Sequence, residues 1–252
     1  MSAYRPKNKE VSISKNSMLY WWPKIKHLPI PMPVTEIVEL GMTNEEVFGI
    51  LDFEDISVNA WNRRVPRILD AINRIKPPVF LRTDHTSGKH DWKHTCYYDG
   101  CHNIRQHISA LVEYSAMADI MGLSINAIIV RQYVPMMSVF TAFSGEMPVN
   151  AERRYFIRDG KVRCHHPYWI EAAIEEGTRK EALPSDWKAR LGSMNTETPK
   201  EVHLLTKYAE LVAEEFDGYW SVDFCKAEDG KWVLIDMAEG QLSWHPECPE
   251  RS

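Results

Sequence analysis

The sequence predicts an α+β fold of lobes built on antiparallel hairpins, with a small N-terminal α/β region before them. Three observations carry this. Strand-like runs meet tight-turn dipeptides at Asp99-Gly100, Asp159-Gly160 and Asp229-Gly230, and such dipeptides join antiparallel strands because their backbones tolerate φ > 0. Helical and strand-like segments are mixed, without the regular βαβ alternation of a doubly wound sheet. The last hairpin, Tyr219 to Gly240, places an acid inside each of its strands, Asp223 and Asp236. Acids are disfavoured among core residues of paired strands unless a cation meets them.

The elements follow in order. Residues 1–16 are polar, Lys-rich and expected to fray. Order begins at Tyr20-Trp21-Trp22-Pro23, and the alternating prolines of 28–33 make an extended connector. Thr35 to Leu40 reads as a short strand. Thr43-Asn44-Glu45-Glu46 has the capping-box pattern of a helix start. Trp61, Val65, Ile68, Leu69, Ile72 and Ile75 have helical spacing, with Pro66 predicting a kink or a start. Strands are predicted at Val79–Arg82 and His94–Tyr98. A helix is predicted over Asn103–Met121, capped by Asn103 and ended by Gly122. Ile125 to Val134 is a strand stopped by Pro135, and Ser138 to Phe143 is another. Arg153 to Tyr168 forms two strands, and Ile170 to Gly177 a short helix. Arg179 to Asn195 is charged and irregular, a loop or lid. Thr198-Pro199-Lys200-Glu201 opens a helix running to Phe216.

Composition narrows the function classes. The net charge of −5 gives no global basic footprint for nucleic acid, although Lys and Arg cluster between Arg82 and Lys93. No apolar run approaches a membrane span and no basic-then-apolar leader opens the chain, so a cytoplasmic protein is expected. Five cysteines without framework spacing point to free thiols in a reducing compartment. His94, Cys96, Cys101 and His102 resemble half a zinc site, but no second Cys pair at finger-like spacing follows. His165 and His166, adjacent on a strand, face opposite ways and cannot readily share one metal, so packing or polar roles are expected.

Three stretches can carry chemistry. The loop Arg82 to Lys93 combines cations, hydroxyls and Gly88, a composition that can fold over phosphate. It is not a Walker A sequence. Read alone, a solvated loop is the simpler account. Glu152-Arg153-Arg154 adds two cations, of which strand alternation lets only one enter a shared cleft, with a surface salt bridge as the competing account. Asp223 and Asp236 suit Mg²⁺, which takes one or two carboxylates plus phosphate oxygens. They equally suit strand ends on a solvated face.

The order of these pieces resembles the ATP-grasp superfamily across roughly Pro78 to Gly240. The matching residues are Arg82, Ser87 and Lys89, then Glu152, Arg154 and Phe156, then Asp223 and Asp236. More narrowly, the chain is similar to the small phage-associated clade characterised by two arginines and a lysine. It is also similar to the ATP-grasp proteins that assist assembly of a eukaryotic translation initiation factor. The resemblance implies two lobes, residues 78–135 and 136–252, holding ATP between antiparallel sheets after an N-terminal region of residues 1–77. Arg82 and Lys89 would meet phosphates, Ser87 and Arg131 would also bind the nucleotide, and Gln132, Tyr133 and Val134 would form the hinge whose backbone reads adenine. Arg154 and Lys89 would be catalytic. Asp223 and Asp236 would hold Mg²⁺. Many relatives carry Asn two residues after the last acid. Here Ala238 stands there, followed by Glu239 as a candidate third ligand.

The implied activity is ATP-dependent ligation of a carboxylate to an amine, with an amino acid, a peptide or a protein terminus as acceptor. An ATP-binding assembly chaperone without ligase activity is the alternative. A third possibility, end joining through a nucleotidylated Lys89, is opposed by the acidic net charge.

Overall fold

A computed structural model describes residues 13–43, 46, 49, 55–118, 125–143 and 146–248. Helix α1 (Met18–Ile25) starts at Ser17, whose side chain caps the Leu19 N–H. Strand β1 (Thr35–Glu39) pairs antiparallel with β4 (Ala127–Gln132), which pairs with β2 (Val79–Thr83), which pairs with β3 (Tyr97–Tyr98). The result is a four-stranded sheet in the order β1-β4-β2-β3. Helices α2 (Asp55–Ile75) and α3 (Ile104–Ala118) cover one face of it. Trp61, Ile68 and Ile72 of α2 and Ile108 and Leu111 of α3 are buried there against Val79, Leu81, Ile128 and Val130. Strand β1 and helix α2 thus join the sheet and the core of β2, β3 and β4.

The second lobe holds a sheet in the order β10-β9-β7-β8, all antiparallel. Its strands are β7 (Glu152–Arg158), β8 (Lys161–Pro167), β9 (Tyr219–Lys226) and β10 (Trp232–Glu239). One face packs on α1 and on α6 (Pro199–Ala213), through Trp21, Trp22, Leu205, Val212, Trp220, Val222 and Phe224. A separate hairpin, β5 (Ser138–Ala142) with β6 (Met147–Asn150), packs with α4 (Glu171–Gly177) and α5 (Trp187–Asn195) around Phe140, Val149 and Trp169. No described helix is long and apolar enough to cross a membrane.

The two later Asp-Gly turns differ. At Asp159-Gly160 both residues have positive φ, 48° and 77°, as a two-residue turn between β7 and β8 requires. At Asp229-Gly230 only Gly230 is left-handed (φ 84°), and Ala227 N–H donates to the Lys231 carbonyl across a three-residue loop. The capping box at Thr198 and Glu201 is present in full. Thr43 and Glu46 also exchange their hydrogen bonds, at 3.2 and 3.0 Å, while most of the helix they would open lies outside the described residues. The expected helix end at Gly122 and the first twelve residues of the chain lie outside as well.

Several local expectations are corrected. Helix α2 runs through Pro66 rather than starting there. The strand predicted at His94–Tyr98 shrinks to Tyr97–Tyr98, because residues 89–96 wind into a 3₁₀ turn and further turns. Thr95 closes that winding by donating to the Gly88 and Asp91 carbonyls, each at 2.7 Å. Arg179 to Asn195 is not an irregular lid. Trp187 and Leu191, one helical turn apart, are buried in the β5-β6 cluster and fix α5 there. Helix α1 and strand β6 were not foreseen, since Pro23 and Pro148 lie inside them.

Candidate active site

The outer face of the β10-β9-β7-β8 sheet turns toward the first lobe. Alternation sends Val222 and Phe224 of β9 into the core and Asp223 the other way. On β7, Tyr155 and Ile157 go inward while Glu152 and Arg154 face the first lobe. Strand β10 needs a correction of phase, because Trp232 and Leu234 are core residues and Asp236 shares their parity. A β-bulge between Leu234 and Asp236 supplies it, so that Asp236 lies directly opposite Asp223. Arg154, Asp223 and Asp236 therefore form one row across three strands.

The first lobe answers with cations. Arg82, 3% exposed, places Nη1 2.8 Å from Asp236 Oδ1. Lys89 Nζ lies 3.5 Å from Glu152 Oε2 and 4.2 Å from the Tyr168 ring centroid. Arg131 donates through Nη1 to the Ile235 carbonyl at 2.5 Å, the bulge residue, while its Nη2 is buried with no hydrogen-bond partner among the described residues. Within the second lobe, Arg154 grips Asp223 by two parallel bonds of 2.8 Å.

These groups line one cavity of about 480 Å³, within the range of small-molecule sites. Its charged lining includes Arg82, Lys89, Arg131, Glu152, Arg154, Asp223 and Asp236. Its lining also includes Gln132, Tyr133, Val134 and Met136, the segment leaving β4, with Phe80 and Met147. Ser87 also lines it. Gly88 (φ 61°) turns the loop that carries Lys89, and a Cβ there would come within 3.0 Å of Thr95.

Electrostatics fix the charge states. Burial works against the Lys89 ammonium, but Glu152, Tyr168 and Asp223 outweigh it and raise its pKa. Burial raises the Glu152 pKa in spite of Lys89. Burial opposes the Arg154 charge too, yet Asp223 more than restores it. Arg131 is the exception. Burial, reinforced by Arg82, lowers it to about 9, because Asp236 compensates only in part.

A family model matches residues 69–252, that of the ATP-grasp domain, family 3 of the clade named for its two arginines and a lysine. The chain belongs to this ATP-grasp family. No curated protein sequence matches it. Among solved structures, this ATP-grasp domain is similar to C-terminally truncated Cdc123 from Schizosaccharomyces pombe, with a TM-score of 0.56 and 12% identity over 90% of this chain and 86% of that one. A second structure of Cdc123 from the same organism gives 0.52 and 11%, again over 90% and 86%. D-alanine–D-alanine ligase from Bacillus anthracis, complexed with ATP, gives 0.48 and 12%, with 91% of this chain spanning 57% of that one. At these identities the Cdc123 likeness is one of fold.

Of the residues singled out in the sequence, the structure gathers Arg82, Ser87, Lys89, Arg131, Gln132, Tyr133, Val134, Arg154, Asp223 and Asp236 around the one cavity. Glu239 is placed elsewhere. Three positions beyond Asp236, it shares the parity of core residue Met237, and its carboxylate accepts from Asn16 Nδ2 at 3.2 Å. Arg153 lies on the opposite face from Arg154, beside Glu197 at 3.3 Å and 5.4 Å from the Trp232 ring centroid. Phe156 packs on Tyr219 and His245. His94 and His102 pair with Asp91 and Asp99, and the half zinc site is not among the converging ligand groups of the described residues. His165 stacks on Tyr155, away from His166. Among the lining residues that the sequence did not single out are Tyr168, under Lys89 and Arg154, and Asn150, with its buried Oδ1 unpartnered among the described residues. Only their nearness in sequence to Glu152 and His166 could have flagged them.

Proposed function

We propose that this ATP-grasp domain is an ATP- and Mg²⁺-dependent ligase that activates a carboxylate as an acyl phosphate for attack by an amine. The observation that carries it is the facing arrangement of four cationic side chains and two in-register aspartates around one cavity. The reaction class couples cleavage of ATP to ADP and phosphate with formation of an amide, Mg²⁺ shielding the phosphate charge. Asp223 and Asp236 fit the metal, being hard oxygen donors on adjacent strands whose arginine partners leave further lone pairs on each carboxylate. Arg82 and Lys89 carry fixed positive charge for phosphates, and the unpartnered Arg131 Nη2 adds a donor that a phosphate oxygen would satisfy. The Gln132 to Val134 segment offers backbone groups to adenine. Arg154, beside the aspartates, is placed to stabilise charge on the transferred phosphoryl group. The acceptor is an amino acid, a peptide or a protein terminus.

The test is ADP release from ATP and Mg²⁺ with pooled carboxylates and amines. The expected result is ADP formed only when both pools are present, and reduced about a hundredfold or more in Arg154→Ala. One observation favours a second reading. Ala238 stands where many relatives carry Asn and Glu239 lies outside the cavity, so one metal position is weakened relative to those relatives, which suits an ATP-binding assembly protein that joins no substrates. Tight ATP binding with no ADP release from any pool would decide for that reading.

A further inference from the structure

A second cluster of reactive side chains lies on the outer face of the same sheet, beyond the nucleotide cavity. Cys164 and His166 stand two residues apart on β8, so they share a face. His245 and Cys248 come from the segment that follows β10 and folds back over that face. The Sγ atoms of both cysteines and one ring nitrogen of each histidine all lie within 4.8 Å of one another. About eighty residues of chain separate the two halves of this group, and the fold alone brings them together.

The hydrogen bonding of the cluster is that of a ligand set. His245 Nδ1 faces the Pro246 carbonyl, which can only accept, so Nδ1 carries the proton and Nε2 the lone pair. That lone pair faces Cys164 Sγ at 3.1 Å and Cys248 Sγ at 3.8 Å. Such a bond from the second ring nitrogen to a carbonyl is what orients metal-bound imidazoles. His166 Nε2 is buried with no hydrogen-bond partner among the described residues, a cost that a ligand would remove. The His166 and His245 rings meet edge to face at 5.1 Å, and Phe156 packs against His245 at 4.1 Å, giving the cluster an apolar wall.

We propose that Cys164, His166, His245 and Cys248 bind one zinc ion. Two thiolates and two imidazoles make a tetrahedral Cys₂His₂ set, with sulfur softness selecting zinc over the Mg²⁺ of an oxygen-lined site. On binding, the two thiol protons leave to solvent and two S–Zn and two N–Zn bonds form. The dication neutralises the two thiolates, so the site carries no net charge. Four protein ligands close the coordination sphere, which makes this a structural rather than a catalytic site. It clamps the C-terminal segment to β8. The Trp244 carbonyl, one residue before His245, accepts from Arg154 Nη1 at 3.2 Å, and His166 is the cross-strand neighbour of Arg154. The clamp therefore holds a positioning contact to the guanidinium that faces Asp223.

The experiment uses the full chain, untagged, purified with reductant and without chelator. Metal content is measured first, and the metal-free protein is then titrated with Co²⁺. The expected results are one zinc per chain and a one-equivalent Co²⁺ spectrum with tetrahedral d–d bands and a sulfur-to-metal charge-transfer band. His166→Ala and Cys248→Ser are expected to lose the charge-transfer band or weaken the metal at least about tenfold, in the range of lost ligand contacts. Cys101→Ser, at an exposed thiol outside the cluster, is expected to keep both. Reduced wild-type protein with neither zinc nor a tetrahedral Co²⁺ spectrum overturns the proposal, as does a Cys164–Cys248 disulfide in metal-free protein. The wild-type measurements decide the question even where a variant fails to fold.

Discussion

At the scale of single residues, the cavity is a set of charges each of which has a partner across or within the lobes. Lys89 faces a buried carboxyl, Glu152, across the cavity. Burial already raises the Glu152 pKa, so Glu152 can take up a proton when Lys89 is absent. Lys89→Met is expected to keep its thermal midpoint within a few degrees and to lose about tenfold or more in ATP affinity, read by calorimetry. Arg154→Ala differs, because it strands Asp223 beside Asp236. Removing one partner of a buried pair costs about 3 kcal/mol or more, so its urea midpoint is expected to fall as well as its activity. Asp223, Asp236 and Arg154 were legible in the sequence because polar residues inside apolar strands demand a reason. The Cys164, His166, His245 and Cys248 group was not, since no local spacing links residues that meet only through β8 and the last turn.

At the scale of elements, the bulge before Asp236 decides the site. Without it, Asp236 would point with Trp232 and Leu234 into the core, and no hydrophobic pattern announces a bulge. The same phase explains Glu239, whose candidacy rested on its place in the sequence while the pleat turned it toward Asn16. The start of α6, marked by a capping box, was read correctly at Thr198. Thr198→Ala, which removes one arm of the capping box of α6, is expected to lower stability by about 1 kcal/mol in urea unfolding. Helix α5 was missed because a short helix held by Trp187 and Leu191 is a tertiary product, with charged residues filling its other faces. His107, buried on α3, has its pKa pushed down to about 4 by burial. The unfolded chain binds that proton near pH ~6.5, so unfolding takes up a proton between those values. Stability is expected to fall as the pH drops from 6.5 toward 4, and His107→Gln is expected to flatten that stretch of the urea-midpoint profile.

At the scale of the whole molecule, one apolar cluster packs Ala127 and Ile129 of the first lobe's β4 with α1 and the second sheet, and polar contacts join the lobes across the cavity. Arg82 to Asp236, Lys89 to Glu152 and Arg131 to the Ile235 carbonyl all cross the cavity from the first lobe to the second. The α+β class and the antiparallel pairing were readable from the turns and the element order. The pairing of β1 with β4 was not, because the two strands meet across some ninety residues of chain. The central claim is that these crossing cations and the paired aspartates receive a nucleotide with its metal. Calorimetric titration of ATP with Mg²⁺ into wild type and Asp236→Asn tests it most directly. Saturable binding to wild type, weakened about tenfold or more in the variant, is the predicted result. A wild-type chain that is folded and binds no nucleotide, with or without Mg²⁺, would contradict it.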